Sequence, residues 1–451
     1  MNWLEIAKNY EEEYIKIVKE LLRIPTVLQA YHPENKEAPF GEEIRKALDY
    51  MLDLGKKDGF ITKDIDHYAG HIELGQGEDV LGVLGHLDVV PAGGKWNQPP
   101  FSAYEEDGKI YARGAMDDKG PTIAAYIAMK MIKDQGIKLN KRVRLILGCD
   151  EESGMRGIQH YLKTEKMPDI GFAPDAEFPL IYAEKGIFSF TYKGKVTDRL
   201  LLSLESGDRF NVVPDECKAV LSESKDQEFN KFLKDYKLQG DILEGNTYVV
   251  YGKNAHAAWP HLGVNAISLM VKFLQRITNN PFVNMLNKYL TDDHLGKKLG
   301  INIVDEEMGE LTLNLAFIHY DGKEVEVGLN IRYPKNYIFE ENEQKLIRAG
   351  KEFALDYINK GNSKPHYVSP DDDLVKSLHQ AYIKYTGDED SKIMSIGGGT
   401  YSRMLKKAVA FGPALPGDED LAHQPNEYLN IKDMMNAVAI YAEGIVKLAG
   451  E

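Results

Sequence analysis

The stretch DVLGVLGHLD, Asp79 to Asp88, carries an apolar run directly into a histidine and an aspartate two residues apart. Val80, Leu81, Val83 and Leu84, punctuated by glycines, suit a short strand buried on both faces of a parallel sheet. His86 then stands at the carboxyl end of that strand, where open α/β sheets build their sites. Asp88 is close enough to accept the second ring N–H of a ligating imidazole. Taken alone, the pair also reads as a core histidine beside a turn aspartate, and the metal reading needs further donors.

Those donors come from the flanking segments. Asp117 and Asp118 immediately precede Lys119, Gly120 and Pro121, a helix start. Ile123, Tyr126, Ile127 and Met131 give that helix an apolar face, and VRLILG (Val143 to Gly148) reads as a second doubly buried strand. A right-handed β-α-β crossover lays the second strand parallel to the first and brings Glu151 and Glu152 near His86. Asp175, in GFAPDAEFP, follows another short segment and converges on the same edge. Upstream, Tyr10, Tyr14, Ile17, Val18, Leu21 and Leu22 mark a helix closed by Pro25; a second carries Ile44, Ala47, Leu48, Met51 and Leu52 and is expected to stop at Gly55. The loop VVPAGGKWNQPPF is irregular, with Trp96 and Phe101 packing it down.

After Lys185 the pattern changes to strands of two-residue period, beginning IFSFTYKGKV. YVVYGKNAHAAWPHLGVNAISLMVKFL reads as strand, loop and helix, and LTLNLAFIHYDGKEVEVGLNIRYP as a hairpin turning at Asp321-Gly322. Along its second strand Arg332 falls on the face opposite Val325, Val327, Leu329 and Ile331, where a solvated charge is the plain alternative. Near Lys364-Pro365 the helix and short-strand pattern returns. The expected fold is therefore α/β: a catalytic domain with a mixed, mainly parallel sheet flanked by helices, formed by residues 1–185 and 365–451, interrupted by an α+β lid domain over 186–364. In the last part, Gly397 to Gly399 are able to offer N–H groups to an anion or to form only a turn. His423 lies in a polar loop with Asp418, Glu419 and Asp420.

Composition sets outer bounds. A chain of 451 residues implies two or three domains. A formal charge of −15 argues against phosphate-backbone binding, so nucleic acid is not an expected partner. No apolar run is long enough to span a bilayer, and the charged, amphipathic N-terminus lacks the features of a signal peptide. Cys149 and Cys217 are far apart with no CxxC pattern, which fits a reducing cytoplasm.

His86, Asp117, Glu152, Asp175 and His423 together make a set of imidazoles and carboxylates suited to two zinc or manganese ions sharing a carboxylate. GHLDVVPAG, RGAMDDKGP, DEESG, PDAEFP, NAHAAWPHLGVNA and AHQPNEYL, in this order over nearly the whole chain, resemble the motif series of the aminoacylase and carboxypeptidase superfamily of dinuclear metallopeptidases, and within it the PepV-like dipeptidases. The resemblance implies that His86 and Asp175 hold one metal, Glu152 and His423 the other, and that Asp117 bridges them while Asp88 orients His86. Zinc is the first expectation and manganese the second. It further implies that Glu151 is the general base toward the bridging water, that the Asp117-Asp118 bond is cis, and that His256 in the lid stabilises the oxyanion. Asn211, Arg332 and Gly398 match positions that bind the oxyanion or the substrate's C-terminal carboxylate. An enlarged lid supplying His256 within one chain implies a protein able to act as a monomer on short peptides. The expected activity is a metallo-dipeptidase, including Xaa-His or β-alanyl dipeptides; the competing readings are an N-acyl amino acid amidohydrolase and, more remotely, a non-catalytic binding module.

Overall fold

The computed structural model describes residues Met1 to Gly450, which divide into two compact units. Among the described residues the first comprises 1–182, 367–394 and 400–450; the second comprises 183–366 and 395–399.

In the first unit the Val80–His86 strand is buried along its whole length, as its unbroken apolar pattern requires. Residues Lys119–Asp134 form the crossover helix, and the Arg142–Gly148 strand returns parallel to Val80–His86 in the register Val80 to Arg142 through His86 to Gly148. The Ile170–Ala173 strand lies parallel on the other side, and Ala408–Ala410 lies parallel beyond it. Ala69–Gly75 and Ile61–Ile65 extend the opposite edge antiparallel, so the sheet is mixed with a parallel centre. Helices Glu11–Leu22, Glu42–Lys57 and Ile431–Ala449 flank it. The predicted stripe from Ile44 to Leu52 is buried, but the helix passes Gly55 and ends at Lys57. Gly55 lies on the buried stripe, where an added Cβ would meet Ile72 and Thr62 at 3.0 Å; here glycine serves close packing rather than termination.

The second unit is an antiparallel eight-stranded sheet whose order runs Gly240–Leu243, Thr247–Tyr251, Glu216–Leu221, Leu201–Ser206, Thr312–Tyr320, Glu324–Tyr333, Gly186–Lys195 and Asp356–Ser363. The hairpin predicted at Asp321-Gly322 joins Thr312–Tyr320 to Glu324–Tyr333. Val325, Val327, Leu329 and Ile331 enter a core shared with the Ala266–Leu274 helix. Residues 395–399 group with this unit rather than with the remainder of the C-terminal part: Lys185 N–H donates to the Ile396 carbonyl and Arg332 Nη1 to the Gly397 carbonyl at 3.1 Å.

Candidate active site

Five loops assemble the site: one after the Val80–His86 strand, one after Arg142–Gly148, one before the Lys119–Asp134 helix, one after Ile170–Ala173 that carries Asp175, and one that carries His423. The first follows Val80–His86. His86 is fully buried; its Nδ1 donates to the Asp88 main-chain carbonyl at 2.9 Å, which leaves Nε2 as the atom facing the carboxylates. Nε2 is 3.0 Å from Asp117 Oδ1 and 3.7 Å from Asp175 Oδ2. Burial alone would lower the His86 pKa, but hydrogen bonds to Asp117 and Asp88 and the charges of Asp175 and Glu151 raise it well above its usual value.

The Asp88 carboxylate does less for His86 than the sequence suggests, since its Oδ1 is 3.6 Å from Nδ1. Its main bonds are to the second loop: Oδ1 accepts Glu151 N–H at 3.0 Å and Oδ2 accepts Glu152 N–H at 3.1 Å. Asp150 fixes the rest of that loop, accepting Arg156 Nε at 2.5 Å and Ser153 Oγ at 2.5 Å.

The third loop precedes the Lys119 helix, and its Asp117-Asp118 peptide is cis. Asp117 Oδ1 faces His86 while Oδ2 faces His423 Nε2 at 2.9 Å, so one carboxylate is shared between two imidazoles. His423 Nε2 also lies 3.0 Å from Glu152 Oε2, and these two acceptors raise its pKa to about 10. Burial would push the Asp117 carboxyl up, yet its hydrogen bonds to His423 and His86 hold it below the usual range. Asp118 does not join the ligand set; its Oδ2 accepts the His86 main-chain N–H at 3.1 Å and the Thr122 hydroxyl at 2.9 Å.

The donor set fits a pair of divalent cations. His86, Asp117 and Glu152 bring ligand atoms within 4.8 Å of one another, and so do His86, Glu151 and Asp175. Glu152 Oε1 is buried with no hydrogen-bond partner, a costly state for a carboxylate oxygen that a cation would relieve. Burial and the neighbouring charges of Asp117 and Asp118 raise the Asp175 pKa well above normal. Burial first, then the charges of Glu152, Asp117 and Asp88, push Glu151 up to about 8 against the opposing influence of His86. So much buried negative charge in one place calls for positive charge, and mixed imidazole and carboxylate donors suit zinc or manganese.

The remaining expected residues belong to the second unit. His256 pairs with Val212 in a two-residue ladder, and Ala257 N–H donates to the Asn211 carbonyl at 2.9 Å. His256 Nδ1 accepts Ala258 N–H at 3.3 Å, so the neutral ring carries its proton on Nε2. Burial and the Arg332 charge lower its pKa, favouring that neutral form. Arg332 is not a solvated charge: it is 5 % exposed and donates to Asn330 Oδ1 at 2.7 Å and to the Gly397 carbonyl. Gly398 precedes only a short 3-10 turn, Tyr401–Met404, not a full helix. Two residues the sequence reading passed over also border the candidate metal ligands, the fully buried pair Arg113 and Glu427. Glu427 sits within the quoted AHQPNEYL, but its partners lie more than three hundred residues away, so no local spacing marks it.

Known proteins share this chain's sequence pattern and fold. The chain is 43% identical to the "Putative dipeptidase YtjP" of Bacillus subtilis and 42% identical to a protein of the same description, SH1171, from Staphylococcus haemolyticus, each alignment covering 100% of both chains. Human carnosine dipeptidase 1 shares the fold, with a TM-score of 0.62 at 16% identity over 99% of this chain and 98% of the other. The family model for peptidase family M20/M25/M40 matches residues 82–447, from the strand that carries His86 to beyond the loop of His423, and the chain belongs to that peptidase family.

Proposed function

We propose that this protein is a metal-dependent dipeptidase that hydrolyses the peptide bond of short peptides bearing a free amine, Xaa-His and β-alanyl dipeptides among the candidates. The observation that carries the reading is Asp117, whose two carboxylate oxygens face His86 and His423 respectively. That is the disposition a bridging ligand needs. His86 and Asp175 would hold one ion, Glu152 and His423 the other, with zinc the first choice and manganese the second. When bound, the two ions would supply Lewis acidity toward the substrate carbonyl and lower the pKa of a water to about 7.

Glu151 is the group left to handle protons. Held by its main-chain N–H on Asp88 beside the proposed ligands, it is placed to take a proton from the attacking water and return it to the leaving amine. His256, with its proton on Nε2, is a fitting donor to the oxyanion. Arg332, Asn211 and Gly398 are proposed to bind the oxyanion or the substrate's terminal carboxylate, the inserted unit serving as the lid. The same reading makes the chain able to work as a monomer, in the cytoplasm, where its two free thiols would remain reduced.

The test is hydrolysis of a panel of free dipeptides, one tripeptide, and N-acetyl and N-succinyl amino acids by metal-stripped protein reconstituted separately with zinc and with manganese. Metal-restored cleavage confined to free-amine dipeptides supports the dipeptidase. Cleavage of the acylated amino acids alone replaces it with an amidohydrolase, and silence on every substrate with a binding module.

A further inference from the structure

Two ligand loops that meet at their tips are tied together at their bases. Arg113 lies four residues before Asp117 and Glu427 four residues after His423, and the two form an ion pair at 2.5 Å with side-chain exposures of 1% and 0%. The Glu427 carboxylate uses both oxygens twice. Oε2 accepts Arg113 Nη1 and, at 3.1 Å, Gly114 N–H; Oε1 accepts Met116 N–H at 2.8 Å and Asp117 N–H at 3.2 Å. One buried carboxylate thus fills its acceptor capacity on the turn that presents Asp117.

Stability does not explain this arrangement. A buried ion pair is commonly no better than a packed apolar pair, and here Arg113 leaves Nε and Nη2 without hydrogen-bond partners. The strand pairing of Tyr428 with Tyr111 and the bond from Ala112 N–H to the Glu427 carbonyl already join the two segments through their main chains. What the side chain adds is a fixed position for Asp117 relative to His423. Groups behind the ligands of a metal site act in this way, orienting the donors without touching the ion.

We propose that Glu427, paired with Arg113, is a positioning residue that sets the spacing of Asp117 and His423 and so governs occupancy of the cation position these share with Glu152. This rests on the two-cation reading given above. In Glu427→Gln an amide N–H₂ replaces one acceptor oxygen and confronts main-chain donors.

The experiment is equilibrium dialysis of the full-length protein against graded zinc, with bound metal counted by mass spectrometry and ligand geometry followed by the absorption spectrum of the cobalt-substituted protein. Wild type should bind two ions. Glu427→Gln should keep one near wild-type affinity, bind the second about ten- to a hundredfold more weakly, and alter the cobalt spectrum. Because this single substitution leaves Arg113 buried without its counter-ion, the double variant Arg113→Met with Glu427→Gln is measured alongside. It removes both charges and should fold, yet show the same weakened second ion. If either folded variant binds two ions as wild type does, even with a lowered unfolding midpoint, Glu427 is structural only and the proposal is overturned. If wild type itself binds fewer than two ions, the two-cation reading fails and takes this inference with it.

Discussion

The Asp88 carboxylate accepts the main-chain N–H groups of both Glu151 and Glu152, one on each oxygen, while the Asp88 main-chain carbonyl accepts the hydrogen bond from His86 Nδ1–H. A single residue therefore fixes the tautomer of His86 and the placement of Glu152 and of Glu151, the proposed general base. Asp88→Asn keeps the carbonyl but turns one acceptor into a donor facing an N–H. We expect metal affinity to fall about ten- to a hundredfold, measured by competition with a chromogenic chelator. Glu151→Gln should behave differently, retaining two ions while turnover drops by about a hundred- to ten-thousandfold, the range of a lost general base. Substantial residual turnover would remove Glu151 from that role. At this scale the sequence is legible where chemistry repeats a motif, as for His86, Asp117 and Glu152. Hydrogen-bond partners are less so: that Asp88 grips the Glu151 turn, or that Glu427 grips the Asp117 turn, depends on contacts across 63 and 310 positions which no local pattern encodes.

Between strand and helix, the close fit is made by glycine. Gly85, immediately before His86, packs so tightly against the Lys119–Asp134 helix that an added Cβ would lie 2.1 Å from Thr122 Oγ1 and 3.2 Å from Asp118 Oδ2. Thr122 Oγ1 is itself bonded to Asp118, which accepts the His86 main-chain N–H. Gly85→Ala should therefore cost roughly 1 to 3 kcal/mol, as overpacking does, and should weaken metal binding through the displaced His86 backbone. Urea unfolding of the metal-free protein and a zinc titration check the two effects separately. The strand-helix-strand unit was readable from sequence because its signals are local: two short apolar runs and a proline-led helix between them. The grouping of residues 395–399 with the inserted unit was not, because it depends on hydrogen bonds from Lys185 and Arg332, residues of another segment. Arg332 itself lies on the face that alternation assigns to polar residues, yet it is buried, since period two records the two faces of a strand and not what covers the second.

At the scale of the molecule, acid sensitivity follows from buried groups. His71, 3 % exposed, has its pKa lowered from 6.5 to about 3, by burial first and then by the Arg144 charge. Between those two values the unfolded chain binds a proton that the folded chain excludes, so His71 contributes full stability above about pH 6.5 and loses it progressively as pH falls toward 3. His71→Gln, which can still bond the Tyr161 hydroxyl, should give the metal-free protein a shallower loss between pH 6.5 and 4.5, by about 1 to 3 kcal/mol over that interval. Unfolding at several pH values, wild type against variant, measures it; parallel curves would exclude His71 as a source of the acid limb. The change of hydrophobic period near Lys185 falls close to the break between the two compact units at 182/183, and the peptidase family was legible in motifs spread along the chain. Substrate choice has no such signature, because it resides in the shape of a site rather than in its ligands. The most direct measurement of the central claim is therefore the hydrolysis of one dipeptide and its N-acetyl counterpart by metal-free protein as zinc is added from zero to beyond two equivalents. The dipeptidase reading predicts cleavage of the free peptide that reaches its plateau at two ions per chain, with the acetylated compound intact. Preference for the acetylated compound, or full activity at one ion or none, would contradict it.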